Sequence, residues 1–211
     1  MGTRSTAAAH RAILPLLAAA LLVSCGAGRG YEPRDGDIVF HTSRSAQSLA
    51  IQRATRSRYS HMGIVLLRRG SPFVLEAVEP VKLTPLGDWL ARGEGGHVVV
   101  KRLADADSVL TDAARARMLE EGKRLEGRHY DLTFEWSDDR VYCSELVYKV
   151  YQRALGIELG RLQRLGDFDL SDPAVRAKVR ERFGDRIPVD EPVISPAAIF
   201  ASDRLVTVCS R

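Results

Sequence analysis

The stretch SHMGIVLLRRGSPFVLEAV, residues 60–78, constrains the fold of this chain more than any other. It holds two β-type runs on either side of Gly70-Ser71-Pro72. Glycine and proline placed there read as a hairpin turn, so the runs lie side by side and antiparallel. A lone hairpin is marginal in water and needs more strands or a covering helix. Further β runs are available in DIVFHT (37–42), HVVVKRLA (97–104) and RLVTVCS (204–210). Helical segments lie between and after them. SRSAQSLAIQRATR (43–56) has Ser43 or Ser45 as its cap, and a short helix starts near Pro85. TDAARARMLEEGKRLEG (111–127) has Thr111 or Ser108 as its cap and sets Ala114, Met118 and Leu125 at helical spacing. DDRVYCSELVYKVYQRALG (138–156) ends at a glycine, LSDPAVRAKVRERFGD (170–185) carries Pro173 in its first turn, and ISPAAIFAS (194–202) makes a last short turn of helix. Strands and helices fall in blocks without strict βαβ alternation. That predicts an α+β fold, an antiparallel sheet packed against helices.

The ends of the chain bound its class. Residues 1–24 read as a targeting segment, with Arg4 and Arg11 ahead of the apolar run AILPLLAAALLV (12–23), which is too short to span a bilayer comfortably. The run closes on Leu22-Val23-Ser24-Cys25, which resembles a bacterial lipobox. That resemblance implies cleavage before Cys25 and a lipid on its thiol, while an ordinary signal peptide or an uncleaved anchor remains the alternative. Gly26 after the cysteine does not resemble an inner-membrane retention signal. The expected location is therefore the cell envelope, at the periplasmic face of an outer membrane if the cell has one. Residues 25–34 read as a Gly-rich flexible tether and 35–211 as a single domain of ordinary size. The formal charge of +4 falls to +2 once Arg4 and Arg11 leave with the signal. No basic block interleaved with aromatics is present, so nucleic acid is not an expected partner.

Cys143 is the candidate nucleophile. In DDRVYCSEL, Asp138 or Asp139 can cap a helix and leave Cys143 in or near its first turn. Unpaired N–H groups and the positive end of the helix dipole there favour a thiolate. The competing reading is a core cysteine, because Cys143, Val147, Val150 and Ala154 share one helical face. A thiol nucleophile needs a base and a group that orients the base. His61 can be the base. For the orienting group two glutamates compete. With a turn centred near Gly70, position 61 pairs with 79 and position 76 faces 64. Glu76 then needs a diagonal reach, a bulge or a shifted register, or else Glu79 takes the role. His41, His97 and His129 read as strand-end or turn residues, with His41 the one able to enter a cleft, and His10 lies in the signal. Neither His61 nor His97 falls in a zinc-ligand spacing, so no metal or other cofactor is expected.

GDIVF (36–40), SRYSHMGIV (57–65), VLEAVEPVKLTPL (74–86), GRHYDLTFEW (127–136) and VYCSELVYKVY (141–151), in that order, resemble the YiiX/YebB-like branch of NlpC-type cysteine hydrolases. The resemblance runs from about 35 to 208. It implies a circularly permuted papain-like fold in which the histidine strand precedes the cysteine helix. It matches Cys143 to the nucleophile, His61 to the general base and Glu76 to the residue that orients the imidazole. Tyr130 and Asp131 fall in a recurring YD motif placed near the cleft. Tyr59 and Tyr142 are candidates for lining it, and residues 157–190 are read as an excursion that shapes it.

The implied reaction is cleavage of an amide or ester through an acyl-thioester. Its substrates are cell-wall peptides, the peptidoglycan stem peptides among them, or lipids through acyl hydrolysis or transfer. Two alternatives keep the fold without the chemistry: a non-catalytic binding lipoprotein, and a structural protein in which Cys143 and Cys209 form a disulfide.

Overall fold

The computed structural model describes residues 30–211, with the backbone alone of residues 23 and 24. The targeting segment and Cys25 lie outside the described residues. Six strands form one sheet: β1 (Ile38–His41), β2 (His61–Arg68), β3 (Ser71–Glu76), β4 (Lys82–Pro85), β5 (Val98–Leu103) and β6 (Leu205–Ser210). Their order across the sheet is β6-β5-β1-β2-β3-β4 and every neighbouring pair is antiparallel. The α+β architecture expected from the sequence is the one observed.

Strand alternation sorts the sheet into two cores. Ile38, Phe40, Met62, Ile64, Leu66 and Leu75 face one way, toward the helices α3 (Asp112–Leu125) and α4 (Cys143–Leu155). Val39, Val65, Val74, Val98 and Val100 face the other way, toward the short helix α2 (Leu86–Ala91), whose Trp89 is fully buried. Three further helices are α1 (Ala46–Thr55), α5 (Pro173–Phe183) and α6 (Pro196–Phe200), a single helical turn spans Ala106–Val109, and α1 packs on α5. Caps follow the expected chemistry at several ends. The Ser45 hydroxyl accepts from the Ser48 amide at 3.0 Å, and Thr111 accepts from Ala114 at 3.2 Å.

Three expectations need correction. Asp138 and Asp139 do not cap α4, which begins at Cys143 with Tyr142 as its N-cap residue. Asp138 instead accepts from Lys149 and Arg153 side chains, and these contacts, the Arg153 hydrogen bond first, hold its carboxyl down at about 2. The hairpin turn is Arg69-Gly70, both at positive φ, and Ser71-Pro72 already belong to β3. Tyr31, expected within a flexible tether over 25–34, is buried and its hydroxyl donates to Asp37 at 2.7 Å. Asp37 is fully buried and also accepts from Arg102 Nε at 2.6 Å, so Tyr31, four residues before the expected boundary, packs with the domain.

Candidate active site

The position of the turn sets the register, and the register assembles the site. With Arg69-Gly70 at the tip, Ile64 pairs with Leu75, and continuing that ladder sets Gly63 opposite Glu76. His61 and Gly63 point to the same face of β2, so His61 and Glu76 are diagonal neighbours. Gly63 makes the diagonal possible. A Cβ there would lie 2.5 Å from Val74 Cγ1, 2.7 Å from the Leu75 carbonyl oxygen and 3.4 Å from Glu76 Cβ. His61 Nε2 and Glu76 Oε2 are 2.7 Å apart. Glu79, the alternative partner, sits elsewhere, where its carboxylate meets His129 Nδ1 at 2.6 Å and accepts from the Tyr130 amide at 2.9 Å.

Glu76 is fully buried and carries three more donors. Trp89 Nε1 donates to Oε2 at 2.9 Å, while the Thr84 hydroxyl and Arg92 donate to Oε1 at 2.6 Å and 2.5 Å. Burial pushes this carboxyl up. The bond and charge of His61, with Thr84 and Arg92, outweigh burial and hold it at about 2. The glutamate is thus a fixed anion. Nothing in the sequence marks Trp89, Thr84 or Arg92 as its partners, although all three fall within sixteen residues of Glu76.

Cys143 is the first residue of α4, where helix amides lack intrahelical partners. The Glu145 side chain accepts from the Tyr142 amide at 3.3 Å, which fixes the entry to the helix. The start of α4 abuts the start of β2, with Cys143 Sγ 4.0 Å from the Ser60 carbonyl oxygen. The thiol and the His61 ring are near enough to interact, and that interaction raises the His61 pKa. Since Nε2 is engaged by Glu76, Nδ1 is the nitrogen left for sulfur. Burial alone would lower the His61 pKa, but the bonds and charges of Cys143 and Glu76 raise it to about 9. Cys143 is a free thiol, so the expected alternative of a Cys143–Cys209 disulfide does not hold.

Two cavities meet at this point. One, about 750 Å³ including its open mouth, is lined by Cys143, Tyr142 and Phe134 together with Leu165, Val175 and Val179, and is almost wholly apolar. Lys178 and Arg182 also border it. The other contains His61, His41, Ser60, Ser43 and Arg92 and is more polar. Gln47, Ile51 and Tyr130 line both.

Of the four residues expected near the cleft, two line it. The Tyr130 hydroxyl accepts from Gln47 at 2.9 Å, and Tyr142 accepts from the Ile194 amide at 3.1 Å. Tyr59 instead stacks on Phe200 at 4.2 Å and lines neither cavity. Asp131 is buried behind the wall, where its Oδ1 accepts from the Thr133 amide and hydroxyl, both at 2.7 Å. Among the described residues no group of three or more His, Cys, Asp or Glu side chains is placed to hold a metal ion.

A sheet with its histidine strand ahead of a cysteine-bearing helix defines a thiol hydrolase of permuted papain type. A family model described as "Permuted papain-like amidase enzyme, YaeF/YiiX, C92 family" matches residues 32–209, and the chain belongs to this family of cysteine hydrolases. It is 50% identical over 193 residues to the "Uncharacterized protein YiiX" of Escherichia coli (strain K12), covering 92% of this chain and 94% of that protein. A crystal structure described as the metalloprotein yiiX from Escherichia coli O157:H7 superposes with a TM-score of 0.82 at 49% identity, over 86% of this chain and 99% of that one.

Proposed function

We propose that this chain cleaves an amide or ester through an acyl-thioester on Cys143, with His61 as proton carrier and Glu76 as the anion that orients it. The sulfur attacks the carbonyl carbon, and the His61 imidazolium hands its proton to the departing nitrogen or oxygen. His61 then takes a proton from water, the resulting hydroxide attacks the thioester, and the acid leaves as sulfur is restored. The Cys143 backbone N–H is one donor to the oxyanion. Tyr130 is a second. Its oxygen accepts from Gln47, and burial followed by the charge at Cys143 holds its own proton in place. Such donors contribute about 10²–10³ in rate.

The observation that carries this reading is the 2.7 Å bond between His61 and the buried Glu76, set beside Cys143 at the first residue of α4. The apolar cavity beside Cys143 favours a substrate whose acyl half is a hydrocarbon chain. The second reading, a peptidoglycan stem peptide, draws on the family's description as amidases and on the polar cavity. The membrane is the proposed partner in either case, through a lipid on Cys25.

The test is alkylation of the mature domain by iodoacetamide across a pH series, read by peptide mass. Cys143 is expected to react well below pH 8 and more slowly in His61→Ala. Equal rates in the two proteins would remove the pair from the mechanism. Octanoyl amides and stem peptides, assayed side by side, separate the two substrates.

A further inference from the structure

His41 is the histidine that the reaction above leaves unused. It pairs directly with His61 in the β1–β2 ladder, so the two side chains share a face. Their ring centroids are 5.2 Å apart at 80°, and the His41 ring also meets Trp89 edge-on at 4.3 Å. His41 Nδ1 is 3.0 Å from the Thr42 carbonyl oxygen. A carbonyl only accepts, so Nδ1 bears the ring proton and Nε2 bears a bare lone pair. The residue is 2% exposed, and Nε2 has no hydrogen-bond partner among the described residues.

The charged groups around it are His61, Arg92 and Glu76. Burial first, and then His61, lower the His41 pKa to about 4, so the ring remains a neutral acceptor at ordinary pH. A buried acceptor left unsatisfied is costly, and nearly all such groups in proteins find a donor.

His41 and His61 line the polar cavity, which shares Gln47, Ile51 and Tyr130 with the apolar cavity that Cys143 lines. We propose that His41 Nε2 accepts a hydrogen bond from the leaving half of the substrate, selecting leaving groups with an O–H or N–H two or three bonds beyond the scissile atom. The proposal rests on Cys143 and His61 as the reacting pair, because their position defines which half of the substrate enters which cavity. The 5.2 Å between rings sets the short reach. A substrate whose leaving half is purely apolar would bury the lone pair without a partner.

The test is binding, read without turnover. The mature chain carrying Cys143→Ala is titrated by calorimetry with N-(2-hydroxyethyl)octanamide and with N-propyloctanamide, which replaces the hydroxyl by a methyl of nearly the same size. The hydroxyl ligand is expected to bind at least about tenfold tighter. Adding His41→Leu removes that preference, and His41→Gln, whose amide oxygen also accepts, keeps it. Equal affinities in the parent, no binding of either ligand, or a preference that survives His41→Leu each overturn the proposal. Turnover of the hydroxyethyl amide by the chain with Cys143 intact is scored separately. Failure there counts against the catalytic reading and leaves the His41 result legible.

Discussion

Glu76 illustrates how one side chain sets the behaviour of its neighbours. Its carboxylate is fully buried and takes four hydrogen bonds, from His61, Trp89, Thr84 and Arg92. Removing one partner of a buried charged pair costs about 3–5 kcal/mol, chiefly because the other charge is left without compensation. The conservative variant Glu76→Gln keeps the shape and removes the charge. His61 is held up at about 9 by Cys143 and Glu76, so it remains an imidazolium, able to protonate the leaving group, until pH rises through that value. The alkaline fall of kcat/KM is therefore expected near pH 9. With one of the two raising partners gone, the His61 pKa drops, and in Glu76→Gln the fall moves to lower pH. The rate at the optimum should drop by roughly 10²–10⁴. A pH–rate profile whose alkaline limb does not move would show that Glu76 only fills space.

At the scale of elements, the hairpin and the helix α5 differ in how much the sequence disclosed. The hairpin was legible as two β runs and a turn, but its register was not. Centring the turn on Gly70 sets Glu76 opposite residue 64, on the wrong face for His61. Centring it between Arg69 and Gly70 moves Glu76 opposite Gly63, on the face of His61. A shift of one residue in pairing turns every side chain over. Local residue preferences do not fix that shift, since Gly70 fits either turn. The start of α4 differs from expectation for a related reason: Asp138 looks like a cap, yet Lys149 and Arg153 of α4 itself claim it. Cys143 could be placed near a helix start, but only packing against Ser60 shows what that helix end faces.

The α5 segment was legible as a helix, with Asp172 accepting from Ala174 at 2.8 Å ahead of Pro173. What its stripe of Val175, Val179 and Phe183 covers was not, because the wall it completes is supplied by residues more than a hundred positions away, such as Ile51. That stripe gives a prediction for the element as a whole. Val179→Trp fills the apolar cavity from α5 while leaving Cys143, His61 and Glu76 untouched. Turnover of an octanoyl amide is expected to fall at least about tenfold, and that of the matching acetyl amide to stay within about twofold. Equal loss on both substrates would mean that the helix supports the fold and that no acyl chain occupies the cavity.

The whole molecule combines a folded hydrolase-type domain with an N-terminal extension read from sequence alone. Tyr31 packs into the domain, pinned by Asp37 and through it by Arg102. If Cys25 carries the lipid, five residues separate it from Tyr31, a contour of at most about 20 Å. The domain then works within one molecular diameter of the bilayer, where acyl lipids are concentrated, and a short tether raises the effective encounter rate without any new contact. A single hydrocarbon chain binds membranes weakly, while more than one holds stably. The mature protein is therefore expected to begin at Cys25, to carry mass beyond its amino acids at that residue, and to sediment with membranes until detergent releases it. Cys25→Ser should leave the protein in the soluble fraction with its turnover of a water-soluble octanoyl amide unchanged, because Cys25 is remote in function from the Cys143 thiol. Its turnover of the same acyl group presented in vesicles should fall. A mature N-terminus elsewhere, or a Cys25→Ser protein that still sediments with membranes, would detach the chain from the lipid surface and leave a freely diffusing substrate as the better reading of the two cavities.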